Sequence, residues 1–147
     1  LEPSMLAPVV SQPSLPFDVP WGLEIAPHDL AAIRTRLDQE NLSVLAFRFD
    51  GDRYCTAARF DAYARALGDR FVGRVLPDDA AKLDGAPPFF AEHVNFPHSV
   101  LTVHLADEAG SPTVAARDEV LAFLASRLTD AAHPASGNQR AWDSDAR

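Results

Sequence analysis

Three short apolar runs alternate with stretches in which apolar residues recur every three or four positions, and this alternation organises the chain. The runs are Met5 to Val10, Val44 to Phe49 and Phe71 to Leu76, and each has the length of a buried strand. The periodic stretches predict helices over Pro27 to Glu40, Thr56 to Leu67 and Pro112 to Leu128. Leu30, Ile33 and Leu37 mark one face of the first; Phe60, Tyr63 and Leu67 mark one face of the second, with Gly68 placed to end it. In the third, Ser111 stands as N-cap, Pro112 suits the first turn, and Val120, Leu121, Leu124 and Leu128 form the apolar face. Between them "DDAAKLDGAPPFFAEHVNFP" reads as an irregular surface loop, and residues 129–147 have no periodicity and read as a disordered tail.

Strand and helix alternating in this way imply an α/β fold with a mostly parallel sheet. Loops beyond the carboxyl ends of parallel strands are where functional residues gather. The second run ends in such a place, at Asp50, Gly51 and Asp52 in "FRFDGDRYCTAARF". Two aspartates around a glycine also serve simply to solvate a turn and cap the following helix. A second position of interest is His98 in "VNFPHSVLTVHL", a histidine after a proline that opens an apolar run.

Composition narrows the partners. A core is within reach of 147 residues that are 47% hydrophobic, and one domain is the expectation. With 13 basic against 21 acidic residues and one lysine, the chain is a poor ligand for nucleic acid or an anionic membrane surface. No apolar run reaches the roughly 20 residues of a membrane span. The single cysteine, Cys55, leaves no intrachain disulfide, which fits a reducing, cytoplasmic setting.

Together "VLAFRFDGDRYCTAARFDAYARALGDRF", "PHSVLTVHL" and "SPTVAARDEVLAFLASRL" resemble the carboxyl-terminal half of an α/β-hydrolase of the dienelactone hydrolase family. Over residues 1–128 the resemblance implies a partial α/β-hydrolase fold of three mostly parallel strands with flanking helices. It also implies an ester or lactone as the small-molecule substrate, an acyl-enzyme, and no cofactor. Residue by residue, Asp52 matches the acid of the triad and His98 the base, in the acid-then-histidine order of the fold. The pattern departs at the nucleophile: no Gly-x-Ser-x-Gly or Gly-x-Cys-x-Gly elbow occurs, and the oxyanion-hole loop is missing. Since the chain begins at Leu1, the expectation is a piece of a longer hydrolase whose elbow lies upstream and carries Cys or Ser.

Other assignments compete. Asp50 replaces Asp52 if the strand ends earlier, and His93 and His104 compete with His98. His104, inside the apolar run, reads as a packed histidine. Cys55 invites a cysteine–histidine reading, but it opens a helix beside the acid instead of sitting on an elbow. A metal site from His93, His98 and His104 lacks any recognised ligand spacing. A non-catalytic α/β module, keeping this half-sheet for packing or binding, is the reading from a different class.

Overall fold

A computed structural model describes residues 4–132. It contains three strands, β1 (Val9–Ser11), β2 (Val44–Phe49) and β3 (Phe71–Leu76), and four helices, α1 (Pro27–Gln39), α2 (Ala57–Leu67), α3 (Pro88–His93) and α4 (Pro112–Ala132). The strands form one parallel sheet in the order β1-β2-β3, with Val9 opposite Leu45 and Leu45 opposite Val72. Parallel neighbours need a crossover, and α1 and α2 supply the two. The chain is therefore an α/β fold.

All six residues of β2 are buried, as a central strand covered on both faces requires. Alternation along the strands divides them between two layers. Val10, Val44, Ala46 and Phe71 pack with Leu37 of α1 and Phe60 and Leu67 of α2. On the other face Leu45, Phe47, Phe49 and Leu76 pack with Ala116, Val120 and Phe123 of α4. Gly73 in β3 allows the first layer to close, because a Cβ there would lie 2.7 Å from the Phe60 ring.

β1, the segment after β3 and α4 differ from expectation by more than a residue. β1 starts at Val9 because Pro8 has no N–H for the ladder, although its carbonyl still accepts the N–H of Leu45 at 3.1 Å. The segment after β3 is not wholly irregular: a 3-10 turn covers Asp78–Ala80, and Pro88 begins α3. Helix α4 continues through Ala132, so residues 129–132 of the expected tail are helical, while 133–147 lie outside the described residues. Its inward stripe also differs. Leu121, Leu124 and Leu128 are exposed, because Ala116, Val120 and Phe123 take the sheet-facing positions. Two overlapping apolar stripes run along this helix, and only the sheet selects between them.

Among the described residues no helix is long and apolar enough to cross a membrane. The parallel sheet brings the carboxyl ends of all three strands, at Ser11, Phe49 and Leu76, to one edge. The segments that follow β2 and β3 from that edge hold Asp52 and His98.

Candidate active site

β2 ends at Phe49 and the chain turns through Asp50, Gly51 and Asp52. Asp50 donates its N–H to the Leu76 carbonyl at 2.9 Å, while its side chain stays in solvent, 78% exposed. The N–H of Gly51 donates to Asp78 Oδ1 at 2.7 Å, and a Cβ at position 51 would stand 2.2 Å from Asp78 Oδ2. A side chain does not fit between them. Glycine therefore lets the carboxylate beyond β3 clamp the end of β2.

The same turn sends Asp52 inward, where its side chain is fully buried. Oδ1 accepts the N–H groups of Tyr54 and Cys55, each at 2.9 Å, closing the Asx type of turn that short acidic side chains favour. Oδ2 accepts from His98 Nδ1 at 2.8 Å. Three donors thus satisfy a carboxylate whose burial would otherwise be costly.

His98 arrives from a tight turn between α3 and α4. Its carbonyl accepts the N–H of Val100 at 3.1 Å, and its own N–H donates to His104 Nδ1 at 3.0 Å. Because the carboxylate only accepts, the hydrogen bond to Asp52 puts a proton on Nδ1, so in the neutral imidazole the lone pair is on Nε2. Nε2 makes no hydrogen bond, and no buried side-chain nitrogen or oxygen among the described residues lacks a partner, so this atom opens to the surface. The His98 side chain as a whole is 14% exposed. Tyr54 sets its edge against the His98 ring at 5.3 Å between centroids, and Phe96 and Phe17 meet Tyr54 the same way at 5.0 and 5.2 Å.

Tyr54 also lines a cleft of about 400 Å³, together with Phe17, Pro20, Arg53, Thr56 and Arg59. Phe17 and Pro20 bring one wall of this cleft from the β1–α1 loop, and Arg59 of α2 holds that loop. Only 1% exposed, its guanidinium donates to Gly22, Tyr54 and Val19 carbonyls at 3.1, 2.7 and 2.9 Å, and to those of Ser14 and Pro16. Thr56 Oγ1 adds a bond to the Pro20 carbonyl at 2.9 Å.

The competing residues lie elsewhere. Asp50 pairs loosely with Arg48, at 3.7 Å. His93, exposed on α3, donates Nδ1–H to the Phe89 carbonyl at 2.8 Å. Cys55 is fully buried, and its thiol is pushed up to about 12, first by burial and then by the charge of Asp52. A thiol so disfavoured as thiolate is not an activated nucleophile. Ser99 Oγ is paired with Thr102 Oγ1 at 2.6 Å. Among the described residues no three His, Cys, Asp or Glu side chains are grouped to hold a metal.

Of the aromatics in the irregular segment, Phe96 is buried beside Tyr54 and His98, Phe90 meets the His104 ring at 5.4 Å, and Phe89 is 76% exposed. Tyr54, Phe17 and Arg59 were not singled out by the sequence. The one signal for Arg59 is a charge next to Phe60 within the apolar part of α2. Compared with family models, curated proteins and solved structures, the chain matches none.

Proposed function

We propose that Asp52 and His98 are the acid and the base of an ester or lactone hydrolase of the dienelactone hydrolase type. The observation that carries this reading is the 2.8 Å hydrogen bond from His98 Nδ1 to a buried carboxylate, with Nε2 left unbonded and open. It is supported by the position of Asp52 after a parallel strand and by the order of acid before histidine along the chain.

In this reading a Ser or Cys from outside the chain gives its proton to His98 Nε2 as it attacks the carbonyl carbon. Asp52 holds the imidazole in the tautomer that accepts there and stabilises the imidazolium that results. His98 returns the proton to the leaving alkoxide, giving an acyl-enzyme. Water then attacks the acyl carbon, losing its proton to Nε2, and the nucleophile is released with that proton. The cleft beside Tyr54 provides apolar and aromatic surface for the substrate body.

The test is hydrolysis of nitrophenyl acetate. The 147-residue chain is expected to match a protein-free control. A longer polypeptide joining it to a strand–elbow–helix segment with Ser or Cys is expected to turn over, and His98→Ala to lower that rate by a factor on the order of 10⁴ or more. Activity of the 147-residue chain that vanishes with Cys55→Ala would make Cys55 the nucleophile and overturn the assignment. An inert longer polypeptide with the pair intact would instead favour a binding module.

A further inference from the structure

His104 is 1% exposed and takes no part in the reaction just described. Its Nδ1 faces two backbone donors, the N–H of His98 at 3.0 Å and the N–H of Ser99 at 3.3 Å. A ring nitrogen that accepts in this way carries no proton, so the imidazole is neutral with its hydrogen on Nε2. The rest of the residue is fixed as well. Its N–H donates to the Ser99 carbonyl at 3.0 Å, and its carbonyl accepts the N–H of Lys82, also at 3.0 Å. Phe90 covers the ring edge-on at 5.4 Å.

The consequence for His98 follows from what else holds it. His98 belongs to no helix or strand, so no ladder of hydrogen bonds sets the direction of its Cα–Cβ bond. Two backbone bonds do so instead, its carbonyl to Val100 N–H and its N–H to His104 Nδ1. Ser99 is also buried, at 4% exposure, so withdrawing the acceptor would strand a buried donor, which a fold avoids by opening the turn. Protonated, the ring would present N–H to N–H. Burial and the neighbouring His98 both oppose that state and lower the pKa of His104.

We propose that His104 is a positioning residue for His98: its neutral Nδ1 anchors the His98 backbone so that the imidazole stays on Asp52. The proposal rests on the reading of Asp52 and His98 as an acid–base pair and adds a third residue acting through the second. A packed histidine with no such role would be replaceable by any ring of similar volume. A positioning histidine would be replaceable only by a residue with an acceptor at the same place, and Asn is that residue, since its Oδ1 occupies the position of Nδ1.

Solution NMR of the whole chain tests this through the Nδ1–H proton of His98 and its exchange with water. Asp52→Ala, which removes the acceptor altogether, should abolish the protected signal; if it does not, the pair itself is wrong, whatever His104 does. With the pair established, His104→Phe is expected to speed exchange of the His98 proton about tenfold or more, as befits the loss of one buried acceptor. His104→Asn should return it to within about threefold of the parent, and His104→Gln, with its amide one carbon too far, should not. Unchanged exchange in His104→Phe, or equal acceleration in Phe and Asn, would overturn the proposal and leave His104 a packing residue. Should His104→Phe fail to fold, scalar coupling across the hydrogen bond from the His98 amide to His104 Nδ1 in the parent protein decides the matter. Its absence would also overturn the proposal.

Discussion

Asp52 and Cys55 share one backbone turn, and the turn gives them opposite chemistry. The N–H of Cys55 donates to the Asp52 carboxylate and helps hold its orientation, whereas burial and that carboxylate's charge push the thiol up to about 12. Cys55 should therefore behave as an inert packing residue. Iodoacetamide at pH 8 is expected to label it at least about 100-fold more slowly in the native chain than in denaturant, as the thiolate is the reacting species. Native labelling at the unfolded rate would sink the description of Cys55 and reopen its use as a nucleophile. The choice between Asp50 and Asp52 was open in the sequence because a strand end is uncertain by a residue or two. In the structure the Asx-type turn, formed with the N–H groups of Tyr54 and Cys55, buries Asp52 against His98 and leaves Asp50 in solvent. His98 drew notice in the sequence as a histidine after a proline, but its contact with Asp52 had no local signal, since no pattern records that a side chain 46 residues away completes its hydrogen bond. His104 read correctly as buried, but which lone pair it offers, and to whom, is set by a turn that has no periodicity to read.

At the level of elements, the periodic segments were the readable ones. α1 and α2 fall within a residue of their expected bounds because Pro27 and the Thr56 cap mark their starts and the apolar spacing fixes their faces. The β1–α1 loop carried no such signal. Its shape depends on five carbonyl oxygens converging on Arg59, a residue 37 to 45 positions away for four of them. Arg is suited to this because its five N–H groups lie in one planar fork, and Lys cannot copy that arrangement. Arg59→Met should remove the guanidinium's bonds to all five carbonyls, of which that of Val19 also accepts the backbone N–H of Gly22, and cost on the order of 3 kcal/mol or more. The loss should be local before it is global. Chymotrypsin is expected to cut near Phe17 and Trp21, both already exposed, much faster in Arg59→Met than in the parent, at a temperature where far-ultraviolet dichroism of the two is the same. Arg59→Lys should resemble Met. Protection of the loop in either variant would show that Arg59 is dispensable for the cleft wall.

Across the whole molecule, two buried titratable groups, His104 and Cys55, are expected to bracket the pH range of greatest stability. His104 has its pKa lowered from 6.5 by burial and by His98, against a weaker opposing pull from Asp52. Below about 6.5 the unfolded chain takes up a proton that the folded one resists, so stability is present above that pH and is lost as pH falls through the lowered value. Cys55 works in the other direction: its thiol is raised from 9.0 to about 12 by burial and Asp52, with Arg48 and Arg59 opposing. Above pH 9.0 the unfolded chain loses a proton that the folded one keeps, so stability declines from there towards pH 12. Urea midpoints measured across pH should accordingly form a plateau between about 6.5 and 9, falling on both sides. The two arms have separate owners, and substitutions separate them. Cys55→Ala should lower the plateau through a small cavity while flattening the alkaline arm, and His104→Asn should flatten the acid arm while leaving the alkaline arm as it was. If both arms keep their slopes in both variants, these two groups are not what couples folding to protons. The neutral state of His104, on which the orientation of His98 is argued to depend, would then lose its thermodynamic support.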